Sequence, residues 1–147
     1  MIVPTDQLGT LAGGVTMVSG GFDPLHPGHI GYFRAAAGLG PPLLVNVSHD
    51  EWVGRKHPPL LTQAERIQVI DALGMVAYVH AETGPTYEVL EALRPRYFAK
   101  GADWEGRLPD EERDVCDRHG VEIVFLDTVV DSSTDVLRRF RERGQGT

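Results

Sequence analysis

The residues best suited to chemistry lie between positions 20 and 29, in the run Gly20-Gly21-Phe22-Asp23-Pro24-Leu25-His26-Pro27-Gly28-His29. Adjacent glycines let a backbone approach a phosphate closely, with its amide donors exposed. His26 and His29 flank Gly28 at the mouth of an expected helix, where free amides and the helix dipole favour an anion. Imidazoles so placed can donate hydrogen bonds to phosphoryl oxygens as charge builds on them. Competing readings are solvated turn residues or a metal site. His-x-x-His alone is weak evidence for metal, and the His-Glu-x-x-His helix pattern is missing. Asp23 orients the turn or a histidine and is assigned support rather than chemistry.

Three further groups could serve the same chemistry. Lys56 offers a point charge on a long stem in the loop Arg55-Lys56-His57-Pro58-Pro59, where Arg55 could equally fill the role, and Arg66 carries a planar fork near a helix start. In Lys100-Gly101-Ala102-Asp103-Trp104-Glu105-Gly106, Asp103 could accept from a ribose hydroxyl or a base amino group, and Trp104 could pack on a ring or a wall. Ser132, Ser133 and Thr134 place consecutive hydroxyls at a helix N-terminus, as phosphate donors or as a simple cap.

These residues need a scaffold, and the chain alternates strand-like and helix-like segments. Strands are expected at 15–19, 43–47, 76–79, 97–99 and 121–126. Helices are expected at 29–37, from the capping box Thr62-Gln63-Ala64-Glu65 to about 73, at 86–93, between Pro109 and Gly120, and from 132 to about 143. Residues 49–61 read as a polar, Pro-rich loop. Residues 1–14 read as an N-terminal arm before one domain spanning 15–147. The alternation predicts an α/β fold: a five-stranded parallel sheet with helices on both faces and ligands beyond the carboxyl ends of the strands. Every candidate segment falls at a strand end or a helix start.

Composition sets the remaining bounds. A chain of 147 residues suits one core, and 41% hydrophobic with 24% charged residues is an ordinary globular mixture. No apolar run is long enough to span a bilayer, and the first residues lack a signal-peptide pattern. Cys116 is the single cysteine, read as inert; a cytoplasmic setting is expected. The net charge of −7 argues against a nucleic-acid surface and asks for a locally concentrated anion site.

The run from Gly20 to His29 resembles the signature of the cytidylyltransferase-like nucleotidyltransferases, whose hallmark is His-x-Gly-His, here His26, Gly28 and His29. The likeness extends over roughly residues 15–140. It implies a Rossmann-like domain that transfers a nucleoside monophosphate from a triphosphate to a small phosphorylated acceptor, releasing pyrophosphate. By resemblance, His26 and His29 stabilise the transition state, and Lys56 and Arg66 meet the phosphates. Gly20, Gly21, Phe22, Asp23, Gly28, Gly101, Asp103, Trp104, Ser132, Ser133 and Thr134 line the nucleotide. Mg²⁺ accompanies the triphosphate, no protein metal site is expected, and a homodimer is the family habit. Lys100-Gly-x-Asp, Glu82-Thr83-Gly84-Pro85 and the helix from Thr62 resemble heptose-phosphate adenylyltransferases. Asp103-Trp104-Glu105-Gly106 resembles glycerol-3-phosphate cytidylyltransferase, but residues 127–131 lack that enzyme's Arg-Thr-Glu-Gly stretch. ATP is therefore favoured over CTP, with a non-catalytic nucleotide-binding module as the reading from another class.

Overall fold

A computed structural model describes residues 1–127 and 133–145. Its centre is a parallel sheet of five strands, β1 (Thr16–Gly20), β2 (Leu43–Val47), β3 (Tyr78–Ala81), β4 (Tyr97–Gly101) and β5 (Glu122–Leu126), in the spatial order β3-β2-β1-β4-β5. The helices are α1 (Pro27–Ala37), α2 (Asp50–Gly54), α3 (Gln63–Asp71), α4 (Thr86–Leu93), α5 (Asp110–His119) and α6 (Ser133–Gln145). Every residue of β2 is buried, because the central strands are covered on both faces.

Side-chain alternation divides the apolar residues into two layers. Met17, Leu44 and Phe98 face Val89, Leu90 and Leu93 of α4 and Val115 and Cys116 of α5. Val18, Val45, Val79 and Ala99 face Tyr32, Phe33 and Ala36 of α1 and Ile67 and Ile70 of α3. Residues 1–14 belong to the first layer: Thr5–Leu11 form a 3₁₀ turn, Leu8 is fully buried, and Ile2 bridges Val79 on the edge strand.

The strand order reverses between β1 and β4. β1 pairs with β2 along its whole length, from Thr16↔Leu43 to Gly20↔Val47. With β4 it pairs only at Thr16↔Tyr97 and Met17↔Phe98 among the described residues, so the two strands part beyond that level. The Ala99 carbonyl there accepts instead from the Tyr32 hydroxyl of α1, at 2.5 Å. A crevice therefore opens at the switch point, at the carboxyl ends of the strands.

Some boundaries differ from expectation. β3 lies at Tyr78–Ala81 rather than 76–79, because Val76 is buried in the turn leaving α3 and not in the ladder. β4 runs on to Gly101, and α2 interrupts the expected loop at 49–61. The signal for α2 was His49, whose ring nitrogen accepts from the Trp52 amide at 3.1 Å. Among the described residues no helix is long and apolar enough to cross a membrane.

Candidate active site

The signature residues fold into a reciprocal helix cap. His26 is the N-cap of α1, and its Nδ1 accepts from the Gly28 amide at 3.1 Å. The His26 amide in turn donates to Nδ1 of His29 at 3.3 Å. With both Nδ1 atoms accepting, the network assigns each neutral ring its proton on Nε2, so each presents one N–H donor. The rings stack at 3.8 Å between centroids and 26° between planes. Burial first, and the neighbouring His26 second, hold the His29 imidazole down to about 3 from its ordinary 6.5. It is a neutral donor throughout the physiological range.

Phe22 sets this pair from below, meeting His29 and Phe33 edge-on at 5.0 Å each. Its backbone is left-handed, with φ 53°, which folds the ring back over Gly20, where an added Cβ would stand 2.9 Å from Cζ. Gly20 is thus required by packing of the ring, a different reason from the close phosphate approach expected of it. The Gly28 amide is likewise engaged by the cap. Asp23, 2% exposed, fills its supporting role explicitly: its carboxylate accepts from the Leu60 and Leu61 amides at 2.7 and 3.1 Å. The signature turn and the end of the basic loop are tied together through it.

Within that loop the two cations separate. The Arg55 guanidinium lies over the Trp52 ring, 5.2 Å from its centroid. Lys56 is close enough to Lys100 to act on its ionisation. Arg66 requires a correction. Its side chain is fully buried, with Nη1 donating to the Gly21 and Ser48 carbonyls, Nε to the Leu61 carbonyl and Nη2 to Asp50. The guanidinium clamps the signature turn, the end of β2 and the basic loop to one another rather than reaching for phosphate.

Of the other expected groups, Ser133 is tied to the signature turn by a hydrogen bond. Ser133, the first residue of α6, donates its hydroxyl to the Pro24 carbonyl at 3.0 Å, which fixes that helix start on the signature turn. Ser132 and the side chain of Thr134 lie outside the described structure. After β4 the chain turns through Ala102–Trp104, and Asp103 bends back so closely that a Cβ on Gly101 would stand 2.6 Å from its carboxylate. Asp103 is exposed, and the Trp104 ring packs against the Lys100 ammonium at 4.2 Å. A recess of about 450 Å³ runs along α1, lined by Leu25, His26, Pro27, Ile30, Gly31 and Arg34. Among the described residues no three His, Cys, Asp or Glu side chains converge to hold a metal ion.

Ser19, Asn46, His80 and Glu112 were not singled out from sequence, and they gather around Glu82 and Lys100, which were quoted there only within longer stretches. Ser19, Asn46 and His80 stand side by side on β1, β2 and β3, one step beyond the apolar layer on the α4/α5 face, and Lys100 follows Phe98 on that same face of β4. Asn46 donates to the Ser19 hydroxyl at 3.1 Å and to Glu82 at 2.6 Å. Its carbonyl oxygen accepts from His80 Nδ1 at 2.8 Å, and Thr5 donates to His80 Nε2 at 3.0 Å. Glu82, 4% exposed, also accepts from Thr86 at 2.9 Å. Burial lowers Lys100 and raises Glu82 and Glu112, toward their neutral forms, against the attraction between the ammonium and each carboxylate. The polar residues at alternate positions of neighbouring strands were the available signal, masked by placing β3 two residues early.

A model of the cytidylyltransferase-like family matches residues 17–139. The chain belongs to that family. Cytidylyltransferase-like relatives include the FAD synthase of Methanosarcina barkeri, 34% identical over 104 residues, covering 69% of this chain and 74% of that one. The bifunctional protein HldE of Syntrophotalea carbinolica is 31% identical over 136 residues, covering 88% of this chain but 27% of its own length. Among solved structures, a lipopolysaccharide core biosynthesis protein from Thermoplasma volcanium superposes with a TM-score of 0.68 at 25% identity, over 78% of this chain and 97% of that one. The Rossmann-like parallel sheet anticipated from the alternating segments is this family's fold, and the chain is a nucleotidyltransferase.

Proposed function

We propose that the chain transfers a nucleoside monophosphate, AMP in preference to CMP, from a triphosphate to a phosphorylated sugar, polyol or similar small molecule. An acceptor phosphate oxygen attacks the α-phosphorus, the bond from that phosphorus to the bridging oxygen breaks, and pyrophosphate leaves. No protein nucleophile is needed, so catalysis falls to positioning and charge stabilisation. The observation that carries this reading is the Ser133 contact to Pro24, which sets the start of α6 two residues from the stacked imidazoles at the switch point.

His26 and His29 supply Nε2–H donors to the α-phosphate oxygens as negative charge grows there. Lys56, Ser133 and their neighbours Ser132 and Thr134 hold the β- and γ-phosphates. Mg²⁺ carried by the triphosphate would neutralise charge on the departing pyrophosphate, with few ligands required of the protein. Gly101, Asp103 and Trp104 border the nucleotide. Preference for ATP is supported by the relative named as a synthase of FAD, an adenine-containing product, and by the missing Arg-Thr-Glu-Gly stretch at 127–131. CTP remains the second substrate to assay. A homodimer belongs to the same reading, supported by Phe140 standing 75% exposed on α6, and light scattering reads it directly.

The test is pyrophosphate release with ATP and CTP against sugar phosphates, glycerol 3-phosphate and flavin mononucleotide. His29→Ala should lower kcat by about 100- to 1000-fold, the cost of one transition-state donor. Near-normal turnover in that variant would refute the assignment. Nucleotide binding without pyrophosphate release from any pairing would make the chain a binding module.

A further inference from the structure

In-line transfer places the leaving pyrophosphate and the attacking acceptor on opposite sides of the α-phosphorus. If the imidazoles, α6 and the α1 recess hold the triphosphate, the acceptor comes from the opposite wall of the crevice, toward α4 and α5. That wall has the polar row described above. Glu82 is the most constrained member: it is 4% exposed, and one carboxylate oxygen takes both the Asn46 and Thr86 hydrogen bonds. Its other oxygen has no hydrogen bond among the described residues. The Lys100 ammonium packs over the Trp104 ring and likewise makes no hydrogen bond or ion pair among them. Glu112, half-buried at the start of α5, faces the same ammonium.

A carboxylate oxygen held in place on a largely buried side chain, and without a donor among the described residues, is an acceptor open to a ligand. Neutral apolar groups would leave it unsatisfied, and a bare phosphate would meet repulsion from it. Hydroxyl groups fit, because each can donate to a carboxylate while the attached phosphate remains near a cation. We propose that Glu82, aligned by Asn46 and Thr86, is a specificity-determining residue that accepts hydrogen bonds from hydroxyls of the acceptor, with Glu112 beside it. The acceptor is accordingly a polyhydroxylated phosphate, and its hydroxyls are read, not merely tolerated. The inference rests on the nucleotidyl-transfer reading and narrows it.

The test uses matched pairs of phosphates with and without hydroxyls: glycerol 3-phosphate against propyl phosphate, and glucose 1-phosphate against cyclohexyl phosphate. Pyrophosphate release gives kcat/KM, and calorimetry with a non-hydrolysable α,β-methylene triphosphate gives the affinity of each acceptor. In the unaltered protein the hydroxylated member of at least one pair should be preferred by at least about 100-fold, since sites built to bond hydroxyls reject analogues lacking them. Glu82→Gln keeps the size and the contacts to Asn46 and Thr86. It should reduce that preference about tenfold by putting an N–H donor where the open carboxylate oxygen accepts, with KM for the triphosphate unchanged within about twofold. Equal handling of both members of each pair overturns the inference, as does a variant that weakens triphosphate and acceptor alike. Bound triphosphate with no acceptor bound or used also counts against it. Absence of triphosphate binding removes the underlying reading itself.

Discussion

Acidification should expose the cost of keeping His29 neutral. The folded imidazole, held to about 3, binds its proton more weakly than the unfolded one at 6.5, because burial first, and the neighbouring His26 second, oppose a charge on it. Protons therefore favour the unfolded chain. His29 imposes no penalty above pH 6.5, and stability falls as the pH drops from 6.5 toward 3. At pH 5 the difference amounts to about 2 kcal/mol, reduced somewhat by the partial exposure of the ring. Urea melts of the unaltered chain and of His29→Asn at pH 8, 7, 6 and 5 isolate it, since all other titrating groups occur in both. His26 remains in each, so the difference measures His29 together with its coupling to that ring. At pH 8 the variant should be the less stable by about 1 kcal/mol, the worth of a helix cap. By pH 5 it should draw level or overtake. A gap that stays constant from pH 8 to pH 5 would show that the ring is protonated as freely in the fold as outside it.

Four other substitutions test the site and its supports. Asp23→Asn replaces an acceptor of the Leu60 and Leu61 amides by a group that cannot receive both. It should cost about 2–3 kcal/mol in denaturation and raise KM for the triphosphate several-fold as the Lys56 loop loosens. Arg66→Met leaves the Gly21, Ser48 and Leu61 carbonyls without their donor, and should lower stability by about 3–5 kcal/mol. An unchanged melting curve with weakened triphosphate affinity would return Arg66 to the phosphates. Lys56→Ala should raise KM for the triphosphate about tenfold while Arg55→Ala, whose cation rests on Trp52, changes it less than twofold; the reverse order would exchange their roles.

The sheet was legible because its strands are short apolar runs punctuated by Gly and Pro, and the site because His26, Gly28 and His29 fall between the first strand and the first helix. What could not be read was the employment of each polar atom. Arg66 looks like a phosphate ligand in sequence, since a cation in a first helical turn beside a basic loop is equally apt for anions or carbonyls. Only the fold brings the Gly21, Ser48 and Leu61 carbonyls around it. The two-residue displacement of β3 had a larger consequence. With a strand ending at Val79, His80 and Glu82 read as loop residues. With β3 at Tyr78–Ala81, His80 aligns with Asn46 and the polar row becomes a feature of the sheet. Gly20 has a task besides the expected approach to phosphate: it makes room for the Phe22 ring, which is invisible to local pattern.

Thr5 ends a relay that passes through His80 and Asn46 to Ser19, the residue immediately before the signature glycines. The opening turn of the chain is consequently a strut under the strand that leads into the signature turn. Trimming the protein back to Val15, where the first strand invites a cut, would strip the imidazole of its outer partner and admit solvent beneath the asparagine. Damage at the amino end would then surface some eighty positions along the sequence, as altered behaviour of Glu82.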